Sequence, residues 1–556
     1  MSRTARSQTN SPWQRRDQIA RRQFLGRVGA AALATTVIPS SLELAETRAV
    51  AAAQSAAVKS DTRVDQAYEM REHVALYQKR LPLPDRSTNG DEELYPNKIA
   101  SYTKALPHDS VGGVDHQAHD AFIGALESGA PARIETIRLG GVVKLANPQA
   151  GLGFGLEGAD SHHLDIAAAP KFASAEQAGE MAELYWQALT RDVPFSRYDT
   201  DPLTNAAAAD LSRLSDFRGP RVGGQIRAET LFRGTTDGDL TGPYLSQFLW
   251  HDIPYGALPI AQGIRTVIPG IDFLASFDDW LAVQNGAASR RTTRLEPATR
   301  YIRNARDLTR YVHEDFTYQA FLNACLILLG ANAPFDAENP YRRSATQAGF
   351  STFGAPHVLD LLARVANYSL KAAWYQKWYL HRRLRPEEFG GAVHNLLRKG
   401  MDHPVHKDLL NSAALEIIFS RSNTYLLSQA YPEGCPTHPS YPAGHAAIAG
   451  ACATALKAFF DESSEIHAPV EASADGLSLV PYKGATLTVG GELNKLVANI
   501  SMGRNAAGVH WRSDASEGLR LGEAVALSIM RDERECFSEN FAGFALTKFD
   551  GSSVVV

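Results

Sequence analysis

Residues 438–460 read HPSYPAGHAAIAGACATALKAFF. Pro439, Pro442 and Gly444 fix an irregular turn, and the run from His445 through Leu456 to Phe460 is an Ala- and Gly-rich helix that neighbouring helices can approach closely. The turn therefore delivers Gly444-His445 to a helix N-terminus, where backbone N–H groups without intrahelical partners favour a bound oxyanion. The plainer alternative is a rigid turn with a capping histidine.

Helical patterning extends outward from this stretch. Tyr318, Phe321, Leu322, Cys325, Leu328 and Leu329 form one apolar stripe, and Val358, Leu361, Leu362, Val365, Tyr368, Ala372 and Tyr375 form another. A last helix is expected from roughly Asp514 to Met530, with Asp514 and Glu517 spaced as a capping box. Sustained two-residue alternation is scarce, so the class expected is all-α. From Asp61 to Arg300 the chain is interrupted by Gly, Pro and Asp, as at Asn89-Gly90-Asp91 and Pro107-His108-Asp109, and is expected to supply packing and access. No Walker A loop, HExxH zinc helix, GxSxG elbow or fixed-period repeat occurs.

Two further segments carry the chemistry. Lys377–Pro386 reads KWYLHRRLRP. On one helix, Lys377 and Arg385 would stand about 80° apart and lean toward one pocket, with Pro386 ending that helix. Alone, it is equally an ordinary basic helix end. Gly503–Asp514 reads GRNAAGVHWRSD. There the Arg504 fork matches a tetrahedral oxyanion, and a neutral His510 can ligate a metal centre or attack phosphorus. Asp514 either caps the last helix or orients His510.

Bulk properties bound the rest. Among 556 residues, 56 basic and 61 acidic side chains give a net charge of -5, with no general electrostatic reason to bind nucleic acid. The 44% hydrophobic and 21% charged composition is that of a soluble globular chain. Cys325, Cys435, Cys452 and Cys536 include no CxxC pair or CxxCH site, so they are expected as buried thiols, with one or two disulfides left open. Arg21-Arg22-Gln23-Phe24-Leu25-Gly26, the apolar run Val28–Ile38 and the small residues Ala49-Val50-Ala51 resemble a twin-arginine signal; the alternative is a basic amphipathic helix. Residues 1–55 are thus expected as signal peptide and Ala-rich spacer, and the mature protein as periplasmic or extracellular. The run falls short of the ~20 residues of a spanning helix, so no permanent membrane anchor is expected.

The order Lys…Arg-Pro, Pro…Gly-His, Arg-x5-His-x3-Asp resembles the superfamily of vanadium haloperoxidases and non-specific acid phosphatases. The seven residues between Lys377 and Arg385, the place of His438 before His445, and Asn89-Gly90-Asp91-Glu92-Glu93-Leu94-Tyr95-Pro96 resemble the bromoperoxidases of red algae and cyanobacteria. The resemblance implies two packed four-helix bundles with irregular loops in one body over 56–556, about 56–300 and about 301–556, with the active site in the C-terminal half. It implies a vanadate cofactor held by Lys377, Arg385, Ala443, Gly444, His445, Arg504 and His510, with His510 as the metal ligand. His445 would take a proton from incoming hydrogen peroxide, Lys377 would polarise the bound peroxide, and His438 would set the halide preference. That position is commonly histidine in bromoperoxidases and another aromatic side chain in fungal chloroperoxidases.

The activity implied is oxidation of bromide and iodide by hydrogen peroxide to hypohalous acid, which halogenates small organic acceptors. By analogy the enzyme is a homo-oligomer, a dimer or larger. The resemblance leaves room for a structural calcium ion, but no ligand set is matched. Two departures stand out: Ala443, where the family commonly has serine, and Gly503, where many members have serine. Asp315 is the candidate carboxylate for orienting His445. An exported acid phosphatase with a phosphohistidine at His510 is the alternative activity, and a non-catalytic phosphate- or vanadate-binding protein the alternative class.

Overall fold

Apolar side chains recurring at helical spacing have only one way to leave water, and the elements follow from that. A computed structural model describes residues 62–556; the segment expected as signal peptide and spacer lies outside the described residues. Helices of eight residues or more are α1 (Arg63–Arg80), α2 (His116–Ser128), α3 (Ala175–Thr190), α4 (Pro202–Ser212), α5 (Phe277–Gln284), α6 (Ala305–Glu314) and α7 (Gln319–Gly330), then α8 (Ala355–Tyr375), α9 (Pro386–Lys399), α10 (Ala413–Ser422), α11 (Gly444–Phe459), α12 (Val489–Ala506) and α13 (Arg512–Arg534). Among the described residues, sheet is confined to four two-stranded antiparallel ribbons, such as Ile253–Tyr255 with Leu258–Ile260. The fold is all-α.

The largest core gathers α6, α7, α8, α11, α12 and α13. Its axis is α11, in which every residue except His445 is buried. Small residues make this packing possible. A Cβ on Gly522 would lie 1.9 Å from the Ala447 carbonyl oxygen, and one on Gly450 2.3 Å from that of Leu519, so α11 and α13 touch backbone to backbone. Large residues fill what remains: full burial of Ile448, Leu456 or Phe459 contributes about 1.5–3 kcal/mol each. The predicted stripes on α7 and α8 face this core through Phe321, Cys325 and Leu328 and through Val358, Leu361, Leu362 and Val365.

A second core is built on α3, α4, α9 and α10 and takes residues from both sides of residue 300. The functional segments run where the two meet. Leu384 and Trp511 belong to the second core, and Tyr441 and Ala447 to the first. All four cysteines are free thiols, Cys325, Cys435 and Cys452 buried and Cys536 exposed, so the disulfide alternative falls.

Candidate active site

Lys377 and Arg385 do not share one helix, contrary to the sequence expectation. α8 ends at Tyr375, Gln376–His381 forms a π-helical turn, and Arg382 adopts a left-handed φ of 38°. Arg385 is then the N-cap of α9, with Pro386 in its first turn. Pro386 starts a helix rather than ending one, because its fixed φ and missing N–H suit the first helical position. The break turns both cations onto the same loop. Lys377 Nζ donates to the carbonyls of Pro439 (2.9 Å) and Ser440 (2.7 Å), and Arg385 Nε to that of His438 (2.8 Å).

That loop, with a cis Tyr441–Pro442 bond, enters α11 at Ala443, an N-cap that offers no side-chain acceptor. The amides of Gly444, His445 and Ala446 are left with no acceptor among the described residues. Gly444 is closely packed: a Cβ there would lie 3.2 Å from the Trp374 ring and 3.3 Å from Leu370, so both side chains would have to give way by a few tenths of an ångström. The His438 ring packs on Trp374 (centroids 4.7 Å apart), and its Nδ1 lies 2.9 Å from Arg385 Nη2. Tyr441 faces His381 instead.

The third segment closes the site. Arg504, in the last turn of α12, donates through Nη1 to the Val312 carbonyl (2.8 Å) and the Tyr431 hydroxyl (3.3 Å), while its buried Nε has no partner. His510 places Nδ1 2.7 Å from Asp514 Oδ2, and Arg385 Nη1 lies 3.2 Å from its Nε2. A guanidinium only donates, so Nε2 is the acceptor nitrogen and Nδ1 carries the hydrogen to Asp514. Burial, with Arg385 and Lys377 close by, holds both His510 and His438 well below the usual imidazole range.

Asp514 both caps and orients. It is the third residue of α13 rather than its N-cap, which is Trp511, and Oδ2 accepts the Trp511 amide at 3.1 Å besides the imidazole. His445 sits at the mouth, its side chain 24% exposed, with Nε2 3.1 Å from Oδ1 of Asp315, the C-cap of α6. The carboxylate proposed from sequence is therefore in contact, and Nδ1 is left for other partners.

Charge is unbalanced here. The side-chain hydrogen bonds of Lys377, Arg385 and Arg504 go to carbonyls, imidazoles and a phenol, and none to a carboxylate among the described residues. Burial first, and Arg385 second, push the Lys377 ammonium well below its ordinary value; burial also lowers Arg385. Buried cations with an orphaned N–H, beside three free helix amides and an imidazole lone pair, fit a tetrahedral oxyanion bonded to a metal centre.

Several neighbours escaped sequence reasoning. Trp374 and Tyr431 carry no spacing signal. Arg383 lay hidden in the run Arg382-Arg383-Leu384-Arg385, of which only the last matched a motif. Gly503 faces α6, where a Cβ would lie 3.1 Å from Leu308 and Val312, so serine there would crowd the helix contact.

The family model described as the VCPO second helical-bundle domain matches residues 361–539. The chain is 38% identical to the vanadium-dependent bromoperoxidase of Corallina pilulifera, over 84% of this chain and 94% of that one. It is 35% identical to that of Ascophyllum nodosum, over 84% and 87%. The homohexameric structure of the second vanadate-dependent bromoperoxidase of Ascophyllum nodosum superposes with a TM-score of 0.84 at 30% identity, covering 88% of this chain and 90% of that one.

Proposed function

The chain belongs to the vanadium-dependent bromoperoxidase family, and on that premise we propose that it oxidises bromide and iodide with hydrogen peroxide to hypohalous acid, which halogenates small organic acceptors. It is an oxidoreductase with peroxide as acceptor. The observation that carries this reading is the convergence of three buried, carboxylate-free cations on an imidazole whose Nε2 is an acceptor. Nothing favours the phosphatase alternative.

Vanadate would be held by Lys377, Arg385 and Arg504, which offset its negative charge, by the Gly444 amide, and by His510 Nε2 as the metal ligand. When bound, it supplies a Lewis-acidic centre that activates hydrogen peroxide toward a halide without changing its own oxidation state. Ala443 contributes only its backbone. His445, oriented by Asp315 through Nε2, accepts and returns a proton at Nδ1 near the mouth. Lys377 lends positive charge to the reacting oxygens, and its two carbonyl partners fix where that charge sits. His438, packed on Trp374 beside Arg385, tunes the halide preference toward bromide.

Homo-oligomerisation, export by the twin-arginine-type segment and a periplasmic or extracellular location belong to the same reading. Among the described residues no helix is long and apolar enough to cross a membrane, and no group of three or more His, Cys, Asp or Glu side chains is placed to hold a metal ion. The test strips the protein with chelator, adds orthovanadate, and assays bromination with peroxide beside p-nitrophenyl phosphate hydrolysis. Restored bromination with negligible hydrolysis is expected; hydrolysis without bromination overturns the reading.

A further inference from the structure

Behind His510 lies one side chain that joins all three functional segments. Arg383 accepts the Ser440 amide on its carbonyl oxygen (3.0 Å), tying the first segment to the loop before α11. Its guanidinium crosses to the third segment, donating Nη1 to Asp514 Oδ1 (2.8 Å) and to the Ser513 hydroxyl (2.8 Å). The other arm, Nη2, reaches α3, at Gln177 Oε1 (2.6 Å) and Glu180 Oε2 (2.8 Å). The group is buried, with the rings of Trp511 (4.9 Å) and Tyr441 (5.8 Å) against it. Its Nε has no partner among the described residues, but both Nη arms of the planar fork are paired, two bonds each, and these four bonds set its orientation.

That orientation is transmitted to Asp514. Oδ2 of this carboxylate takes His510 Nδ1, the Trp511 amide and the Ser440 hydroxyl, and Oδ1 takes Arg383. With Oδ1 clamped, the carboxylate plane cannot swing, and the imidazole bonded to Oδ2 is held with Nε2 toward Lys377, Arg385 and Arg504.

We propose that Arg383, anchored by Glu180 and Gln177, is a positioning residue that orients His510 for its bond to vanadium by clamping Asp514. This rests on the reading of His510 as metal ligand. It assigns to α3, in the region expected to supply only packing and access, a part in the strength of the cofactor bond.

The test compares two anions. Orthovanadate needs the His510 bond, whereas inorganic phosphate can be held by the three cations and the Gly444 amide without it. Binding of each to the stripped protein is measured by calorimetry. For Arg383→Met, vanadate affinity is expected to fall about 10–100-fold, the usual effect of losing a partner that orients a metal-bound histidine. Phosphate affinity should stay within about twofold. Arg383→Lys should recover part of the loss, and Arg383→Met added to Asp514→Asn should cost no more than Asp514→Asn alone. Because Arg383→Met strands Glu180, the charge-neutral pair Arg383→Met/Glu180→Gln is measured alongside and carries the comparison where the single variant fails to fold. Equal losses for both anions, unchanged vanadate affinity, or additive losses with Asp514→Asn overturn the proposal. A wild-type protein that binds phosphate but not vanadate overturns the reading of His510 instead.

Discussion

The two sides of His510 treat charge in opposite ways. Toward the mouth, Lys377, Arg385 and Arg504 are buried without a carboxylate. Toward α3, Arg383 meets Asp514 and Glu180, and Arg512 meets Glu183, every cation with its anion. A buried unpaired cation costs free energy that a bound oxyanion would recover, so the first side stores affinity; a buried paired one holds geometry and gives nothing to a ligand. The imidazole between them takes its hydrogen-bond direction from the paired side and presents its lone pair to the unpaired one. Substitutions on the two sides should therefore move different observables.

The largest effect is expected at the boundary. His510→Ala should abolish vanadate-dependent bromination, since the nitrogen proposed to bond vanadium goes with the imidazole. Near-normal bromination at saturating vanadate would remove His510 from the ligand role.

Next comes the paired side. Arg512 Nε donates to Glu183 Oε2 at 2.8 Å, and Nη1 to the Arg233 carbonyl at 3.1 Å. Arg512→Met leaves Glu183 buried and alone, which should destabilise the fold by about 3–5 kcal/mol. Arg512→Met/Glu183→Gln should recover most of that, as removal of both members of a buried pair generally does. Urea unfolding of the two variants measures the difference, and equal losses would mean that the pair is not what holds α3 to α13.

The unpaired side should reveal itself through pH. Lys377 is held well below its ordinary value in the folded, vanadate-free protein, so the unfolded chain binds more protons than the native one between that lowered value and the usual lysine range. Stability must then rise with pH through this window, by up to about 1.4 kcal/mol per pH unit. It is lost again as pH falls, because the ammonium must be formed in a buried, cation-rich site. Unfolding followed downward in pH from the ordinary lysine range should show this slope in wild type, but not in Lys377→Met or with vanadate bound, whose charge would favour the ammonium. Equal slopes in wild type and Lys377→Met would show that Lys377 stays protonated unaided.

Legibility from sequence divides along the same line. The unpaired cations belong to short motifs at fixed spacing, and Gly444, His445, Arg504 and His510 lie where those motifs place them. Even Asp315, 130 residues from His445, could be named because it stands at a helix end beside a periodic stripe. What sequence misjudged was the backbone between: the π-helical turn at Gln376–His381 and the left-handed Arg382 have no glycine to announce them, so Lys377–Arg385 looked like one helix. The paired network was invisible for a different reason. Gln177, Glu180 and Glu183 look like the polar positions of any helix, and only tertiary packing, which buries nearly all of α3, shows that they face arginines.

The smallest predicted effect tests whether the unpaired side is already at its best. Ala443 is the N-cap of α11, 1% exposed, with no side-chain acceptor for the first helical turn. Serine there would bring an oxygen that can do two things. In the vanadate-free protein it accepts an amide hydrogen of the first turn as an ordinary N-cap, raising stability by about 0.5–2 kcal/mol. With vanadate present it can donate its own hydrogen to an oxyanion oxygen while a lone pair still accepts the amide it caps. One neutral donor added beside three basic side chains and the helix amides should gain only about 1 kcal/mol in affinity. Ala443→Ser should therefore raise the melting temperature of the vanadate-free protein clearly and tighten orthovanadate binding only slightly. A large gain in affinity with no change in vanadate-free stability would mean that the hydroxyl never caps α11 and that the site lacks a donor; weaker binding would mean that the Cβ environment of Ala446, Met502 and Ala515 cannot accept the oxygen.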